Sequence, residues 1–401
     1  MAYNLRSRTI REELLDESEE QPILGGDDTD GAEDHMSEQS EESSSDGEES
    51  SRLSEAGQNI IPGPVNTEAS TIEEFWSLLI NDEIINLIVQ HTNAKIKDVC
   101  AKMMAEDQDT QTGMWKQSSV HYERLWDRSN GTTTYRCTMP KARFMFLSSS
   151  LRFDDKTTRS ATDKFGPIRA VWDIFIRNCQ RYYKLHNNCT VDEQLLGFRD
   201  RCSFRMYIKS KPDKYGLNIV SLNDACTSYM YNAIPYLGKT STPPNESVSE
   251  YFLREVTAPI HGTNRNVTCD NWFTSVPITR RLLEPYRLCI TGTIQKNKRE
   301  IPQAMKIAER EPPASKYCYD DNLTFVSYTP KKNKVVLLLT SYLHGNNKET
   351  DGKPDIVHFY NKDKGGTDCF DMLCHSFTVS RRTNRWPMQI FFGILDQAAV
   401  N

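Results

Sequence analysis

The sequence predicts a mixed α/β protein, with a mostly helical region first, then a mixed sheet whose strands alternate with helices, and a β-rich insertion interrupting that sheet. Three observations predict it. Helical spacing of apolar residues gives way after about residue 185 to short apolar runs bounded by polar or Gly/Pro breaks. Helix-cap signatures then recur between those runs, which is the order of strands and crossover helices rather than of a bundle or a sandwich. The stretch 295–355, with its basic loops and Pro312-Pro313, breaks that rhythm.

The totals limit what such a chain can be. Its 401 residues, 37% of them hydrophobic, suffice for one large core or a few smaller ones. The formal net charge of −6 conceals a division, because residues 1–60 hold 18 acidic and four basic side chains, leaving 45 basic against 37 acidic in residues 61–401. A mildly basic body suits a polyanionic partner, although a surplus of this size also occurs in proteins that bind no nucleic acid. The eleven cysteines are scattered without a Cys-x-x-Cys pair and without an apolar leader, as expected of a reducing compartment. No run approaches the ~18 apolar residues of a membrane span, so no membrane partner is expected.

Residues 12–56 contain few large apolar groups, so an acidic, disordered tail is expected over 1–66. Ser43 and Ser45 within it each have an acidic residue three places on, a pattern that suits an acid-directed kinase. Thr71-x-x-Glu74 is a capping box and opens a helical region over 67–185, where Trp172, Phe175, Ile176 and Cys179 mark one apolar face. Strands are expected over 190–198, 204–208, 216–222 and 229–237. Ser247 caps the next helix, a strand ends at Asp270, Ser275 with Pro277 begins another helix, and a strand follows over 288–294. Val335 to Leu339 form an apolar strand in the insertion, and a helix resumes near Gly366 with Phe370, Leu373 and Phe377 toward the core and Asp368, Asp371 and His375 opposite.

Carboxylates stand where this pattern brings separate elements together. Asp192 lies in one strand, Asp270 ends another, and Asp368 begins a helix with Asp371 one turn on. Hard divalent cations need several oxygen ligands from separate elements, so this set points to a nucleic-acid-cutting enzyme. Capping alone accounts for any single aspartate at a strand end or helix start. Asp192 differs, because a carboxylate inside an apolar strand costs several kcal/mol unless a cation or hydrogen bonds compensate. Arg199, Arg201, Arg205, Lys209 and Lys211 follow the first acid, and Arg381, Arg382 and Arg385 follow the third. They suit phosphates, with Tyr207, Tyr215 and Trp386 available to stack on bases, or else form a solvated basic face. His261 and His375 read as ordinary polar residues rather than ligands.

Several collinear motifs resemble the piggyBac transposases. They are Thr190-Val-Asp-Glu-Gln-Leu-Leu-Gly-Phe-Arg199, Arg201-Cys-Ser-Phe-Arg205, Lys211-Pro-Asp-Lys-Tyr-Gly216, Cys269-Asp-Asn-Trp-Phe-Thr-Ser275, Asn297-Lys-Arg-Glu-Ile-Pro302, Gly365-Gly-Thr-Asp368 and Thr383-Asn-Arg-Trp-Pro387. The resemblance covers roughly residues 70–401. It implies an RNase H-like catalytic domain of DDD type over 186–294 and 356–401, an insertion subdomain over 295–355, and a helical dimerisation and DNA-binding region over 67–185.

The resemblance also implies the chemistry. Asp192, Asp270 and Asp368 match the catalytic, metal-binding aspartates, and Asp371 an auxiliary acid. The basic residues above, with Lys298, Arg299 and Trp386, become DNA contacts. The cofactor is Mg2+ or Mn2+, as all-oxygen ligands require. DNA, as element ends and a TTAA target, is the expected partner, with a homodimer as a possible assembly, and excision runs through a hairpin; a nuclear location follows only from the DNA substrate and the short basic runs. Two departures accompany the match. The sequence stops within the apolar run Ile390 to Asn401, so the family's Cys/His-rich tail and its zinc are not expected in this chain. Gln295 stands where an Arg is usual. The alternative is a domesticated or truncated DNA-binding protein of the same fold without transposition activity, and a weaker one is an acidic-tailed interaction protein that keeps the fold as a scaffold.

Overall fold

The computed structural model describes residues 63–65, 68–105, 125–128, 131, 133–209, 211, 213–238, 246–349 and 351–401. The acidic tail, apart from residues 63–65, and both candidate phosphorylation sites lie outside the described residues. The short strand β1 (Gly63–Pro64) pairs antiparallel with β2 (Tyr183–Lys184).

Thr71 begins the first helix as its sequence specifies. Its hydroxyl accepts the Glu74 N–H at 3.2 Å while the Glu74 carboxylate accepts the Thr71 N–H at 3.0 Å, so two otherwise orphaned donors are satisfied. The helical region comprises α1 (Ile72–Leu79), α2 (Asp82–Ala105), α3 (Thr133–Thr138), α4 (Lys141–Ser150) and α5 (Gly166–Arg181). Helix α5, with Pro167 in its first turn, buries Ile168, Val171, Trp172, Phe175 and Cys179 at helical spacing in the main core.

The sheet is built from β3 (Asn188–Gly197), β4 (Met206–Tyr207), β5 (Tyr215–Asp224), β6 (Met230–Pro235), β7 (Asn266–Cys269), β8 (Cys289–Thr293), β9 (Ala314–Asp320), β10 (Leu323–Thr329) and β11 (Val336–Thr340). Their order is β4-β5-β3-β7-β8-β11-β10-β9, with β6 also on β5. Strands β3, β5 and β6 form an antiparallel meander. Strands β7 and β8 then add parallel to β3 through α6 (Val248–Thr257) and α7 (Val276–Leu283), each N-capped by the serine expected of it. An antiparallel meander extended on its first strand by two parallel crossover strands is an RNase H-like core. Helices α8 (Asp355–Asp363), α9 (Gly366–Ser376) and α10 (Trp386–Val400) complete the chain.

The segment between β8 and α8 continues the same sheet, because β11 pairs with β8 and β10 and β9 follow outward. Alternation along its strands produces two apolar clusters on opposite faces. Phe325, Leu337 and Leu339 join Ile294, Ile301 and Met305 on one, while Val326 and Leu338 join Ile356 and Val357 on the other. One expectation fails at α9. Phe370 is buried, but Phe377 is 74% exposed, because it caps the helix past its last turn, where helical periodicity no longer sets its direction.

Candidate active site

Register brings the first two acids together. Strands β3 and β7 run parallel with Val191 opposite Cys269, so Asp192 and Asp270 are the next residues along two adjacent strands. Asp270 leaves the strand in a tight turn. Its Oδ1 accepts the Trp272 N–H at 2.9 Å, and its carbonyl oxygen accepts the Thr274 hydroxyl at 2.7 Å, before Ser275 caps α7. Gly292 of β8 passes so close to this turn that a β-carbon there would stand 2.6 Å from the Cys269 carbonyl oxygen.

Asp368 arrives from α9 through a close approach. A β-carbon on Gly366 would stand 2.6 Å from the Thr190 Cγ2 and 3.2 Å from the Asp224 carbonyl oxygen, so only glycine lets the helix start seat on β3 and β5. The neighbouring Thr367 hydroxyl donates to the Asn223 Oδ1 at 3.2 Å in a buried contact. Asp368, next in the chain, is then exposed in the first helical turn, where the helix dipole favours negative charge.

The electrostatics tie the three acids to one another. Burial pushes the Asp192 carboxyl up to about 7, and the negative charges of Asp270 and, less, Asp368 push the same way. Opposing them are the charge of Lys211 and the Glu193 N–H, which donates to the Asp192 Oδ1 at 2.7 Å. The Lys211 ammonium is fixed nearby, donating to the Glu193 carbonyl at 2.9 Å. On α8, burial pushes the Tyr360 phenol up, and the charges of Asp270 and Asp192 push the same way. Among the described residues, no three His, Cys, Asp or Glu side chains stand close enough together to hold a metal ion in this arrangement.

Asp371 faces a different partner. Its carboxylate lies 3.3 Å from the His375 Nδ1, and that contact is the main cause that raises the His375 imidazole to about 9. The other His375 nitrogen is 3.9 Å from Asp213. His261 packs on the Tyr286 ring and meets the Thr257 hydroxyl at 3.3 Å, as an ordinary polar residue does.

The basic residues divide into two groups. Arg199, Arg201, Arg205 and Lys209 are exposed, with the Arg205 guanidinium 5.4 Å from the centre of the Tyr215 ring, and Arg299 and Arg382 are exposed as well. Tyr207 and Tyr215 are exposed, and their rings lie 4.8 Å apart, tilted by 52°. Lys298 and Arg381 are half-buried.

Two of the residues expected to contact DNA also make contacts within the fold. Trp386, half-buried, stacks on Phe165 at 5.9 Å and meets Phe204 edge-on at 5.0 Å against the main core. Arg385 donates to the carbonyls of Ser149 and Leu151 at 3.3 and 2.6 Å, closing the C-terminus of α4, and burial lowers its guanidinium to about 10. Arg385→Met is therefore expected to lower stability by about 1–2 kcal/mol in urea denaturation. The salt dependence of DNA binding should stay unchanged, whereas loss of a phosphate contact would reduce its slope by about one.

Sequence reasoning missed Tyr360, whose helix fell at the expected boundary of the insertion, and placed Lys211 on a general basic face rather than beside Asp192. The Gly-Gly-Thr-Asp run was the available signal for the close approach of α9.

An RNase H-like sheet that gathers aspartates from two parallel strands and the following helix defines a class of polynucleotide-processing folds. The chain belongs to the piggyBac transposases: a family model described as Transposase IS4 matches residues 72–401, and a solved piggyBac transposase is 39% identical to this chain. That structure, a synaptic complex with hairpin DNA, aligns with a TM-score of 0.77 over 85% of this chain and 76% of its own. Two human proteins are each 22% identical over 372 residues, 84% of this chain: PiggyBac transposable element-derived protein 3 and the Chimeric ERCC6-PGBD3 protein. The chain spans 62% and 35% of their respective lengths. The transposase family implies dependence on divalent metal in general.

Proposed function

We propose that this chain is a metal-dependent DNA transposase that cleaves and rejoins strands at TTAA sites, with Asp192, Asp270 and Asp368 as its catalytic carboxylates. The observation that carries the reading is electrostatic: the charged form of Asp192 is disfavoured by burial and by the charges of Asp270 and Asp368. Carboxylates perturbed by burial together with like charge cluster at functional sites.

The donor set fits a hard divalent cation, since three carboxylates with unfavourable mutual charge form an all-oxygen site that Mg2+ or Mn2+ would neutralise. Asp192, Asp270 and Asp368 would hold it, with closer approach of the side chains on binding. Bound there, such a cation would activate the attacking oxygen and stabilise the leaving one. The chain's own residues do the rest: the Trp272 N–H orients Asp270, the Glu193 N–H holds Asp192 with the Lys211 ammonium seated on the Glu193 carbonyl, and Gly366 seats the helix that carries Asp368. Arg199, Arg201, Arg205 and Lys209 supply an exposed basic surface for the DNA backbone, and the helical region 67–185 would carry further DNA contacts and the dimer. A DNA substrate implies the nucleus.

The test compares the purified chain with its Asp270→Asn variant on duplexes ending in TTAA-flanked repeats, with Mg2+ or Mn2+. A loss of at least about 10³-fold in nicking is expected, the equivalent of roughly 4 kcal/mol of transition-state stabilisation. Equal nicking by both would refute the enzymatic reading. The second reading, a DNA-binding protein without strand cleavage, is favoured by one observation, that the acids are not gathered closely enough to share an ion as they stand. Salt-sensitive DNA binding with no cleavage by the wild type would support it.

A further inference from the structure

We infer that the lysine-tipped turn between β10 and β11 is a phosphate-binding finger, which holds the DNA backbone on the insertion side of the candidate active site. The inference rests on the reading of the three aspartates as the centre of a DNA-processing site. Sheet register places the turn. Cys269 pairs with Gly292, Thr293 with Leu338 and Leu338 with Val326, so Asp270 begins a row that continues through Thr293, Leu338 and Val326. Strand β11 runs antiparallel to β8, so the turn before it projects from the same sheet end at which Asp270 leaves β7. Asn333 at the tip precedes Leu338 by five positions, and β11 lies two strands from β7, which sets the tip roughly 20 Å from Asp270. That reach equals about six phosphates along one DNA strand.

The turn is built to present charge. The Lys334 N–H donates to the Lys331 carbonyl at 3.1 Å and Asn333 takes a left-handed φ of 64°, so the chain reverses tightly and leaves Lys331 and Lys332 exposed. Its stem is held on both faces, by Phe325, Leu337 and Leu339 on one and by Val326 and Leu338 on the other. Charge in the insertion is also divided by sheet end. Residues 295–311 and 330–335, in the loops at the Asp270 end, hold eight basic and three acidic side chains, and one of those acids, Glu309, is paired with Lys316 at 2.7 Å. The β9–β10 turn at the opposite end carries Asp320 and Asp321 instead. Solubility alone is served by charge of either sign at either turn, whereas a polyanion lying across the acids is served by positive charge at this one. On the other flank, β3 runs out at the same end toward Arg199, Arg201 and Arg205, so basic loops border the carboxylates on both sides.

The test is the double variant Lys331→Gln/Lys332→Gln, with affinity for the TTAA-flanked duplex measured by fluorescence anisotropy in EDTA over a range of salt concentrations. The expected result is an affinity lowered about 10–100-fold at about 0.1 M salt, a salt slope reduced by about two, and an unchanged melting temperature. Asp320→Asn/Asp321→Asn, at the opposite turn, is the control and should keep the wild-type slope. The deficit should disappear on duplexes trimmed to within about four base pairs of the cut on one side, because these no longer reach the tip. A wild-type slope in the lysine variant, or a deficit that persists on every trimmed duplex, overturns the inference. Since binding is read without metal, that result from a chain that nicks DNA overturns this inference alone. A wild-type chain that binds no duplex overturns the reading of the site and this inference with it.

Discussion

Asp192→Asn should stabilise the metal-free protein above neutral pH while abolishing cleavage. In the folded chain Asp192 titrates at about 7 against an ordinary value of 3.8, chiefly through burial and then through the charge of Asp270. Between those values the folded state holds a proton that the unfolded state has lost, so this residue's contribution to stability declines as pH rises from about 4 to about 7. Above 7 the full cost of the buried charge is present. A shift of about three units corresponds to roughly 4 kcal/mol, and partial solvent access reduces this to about 1–3 kcal/mol. Asparagine keeps the shape and removes the charge. Denaturation in EDTA should therefore show the variant more stable than wild type at pH 8, with the difference shrinking toward pH 4.5. His375 titrates in both proteins and cancels from the comparison. A difference that is absent, or equal at both pH values, would contradict the electrostatic description of the site. Loss of cleavage in the more stable protein would separate function from folding, as is usual where an active site holds unfavourable charge.

Gly366→Val is the second large effect. The added atoms would fall against the Thr190 side chain and the Asp224 carbonyl, and the latter belongs to a β5 backbone that cannot move without disturbing the pairing of Asp224 with Cys189 of β3. Overpacking of this kind costs about 1–3 kcal/mol or somewhat more where backbone is involved. The helix start would lift from the sheet, the Thr367–Asn223 hydrogen bond would be strained, and Asp368 would move away from Asp192. A displacement near 1 Å at a catalytic group can cost about 10²-fold in rate. The expected result is a lower urea midpoint together with cleavage reduced about 10²-fold or more in the folded protein. Gly365→Ala serves as the control, because no heavy atom lies within 4 Å of a β-carbon there. If Gly366→Val matches Gly365→Ala in both measurements, the close approach does not position Asp368.

Local chemistry made much of this site legible. The strands of Asp192 and Asp270 are short apolar runs, Ser247 and Ser275 announce the helices between them, and Thr71 with Glu74 spells out its own cap. The mixed α/β sheet followed from that order. What stayed hidden depends on partners distant in sequence. Strand β11 pairs with β8 across a long excursion, and no local period encodes such a pairing, so the insertion's place at the edge of the same sheet could not be read. The packing of Trp386 on Phe165 and Phe204, and the contacts of Arg385 with the carbonyls at the end of α4, likewise join residues far apart in sequence. Tyr360 lies on a nine-residue helix, opened by Pro354 and joined to the insertion, that strand-like surroundings concealed.

Asp192, Asp270 and Asp368 are proposed to form one metal-binding group. Anomalous scattering from crystals soaked in Mn2+ measures it most directly. The account predicts Mn2+ peaks at the carboxylates of Asp192 and Asp270, with Asp368 drawn in as a further ligand, and their loss in Asp270→Asn. A well-ordered site that takes up no Mn2+, or Mn2+ bound only elsewhere on the molecule, would contradict it.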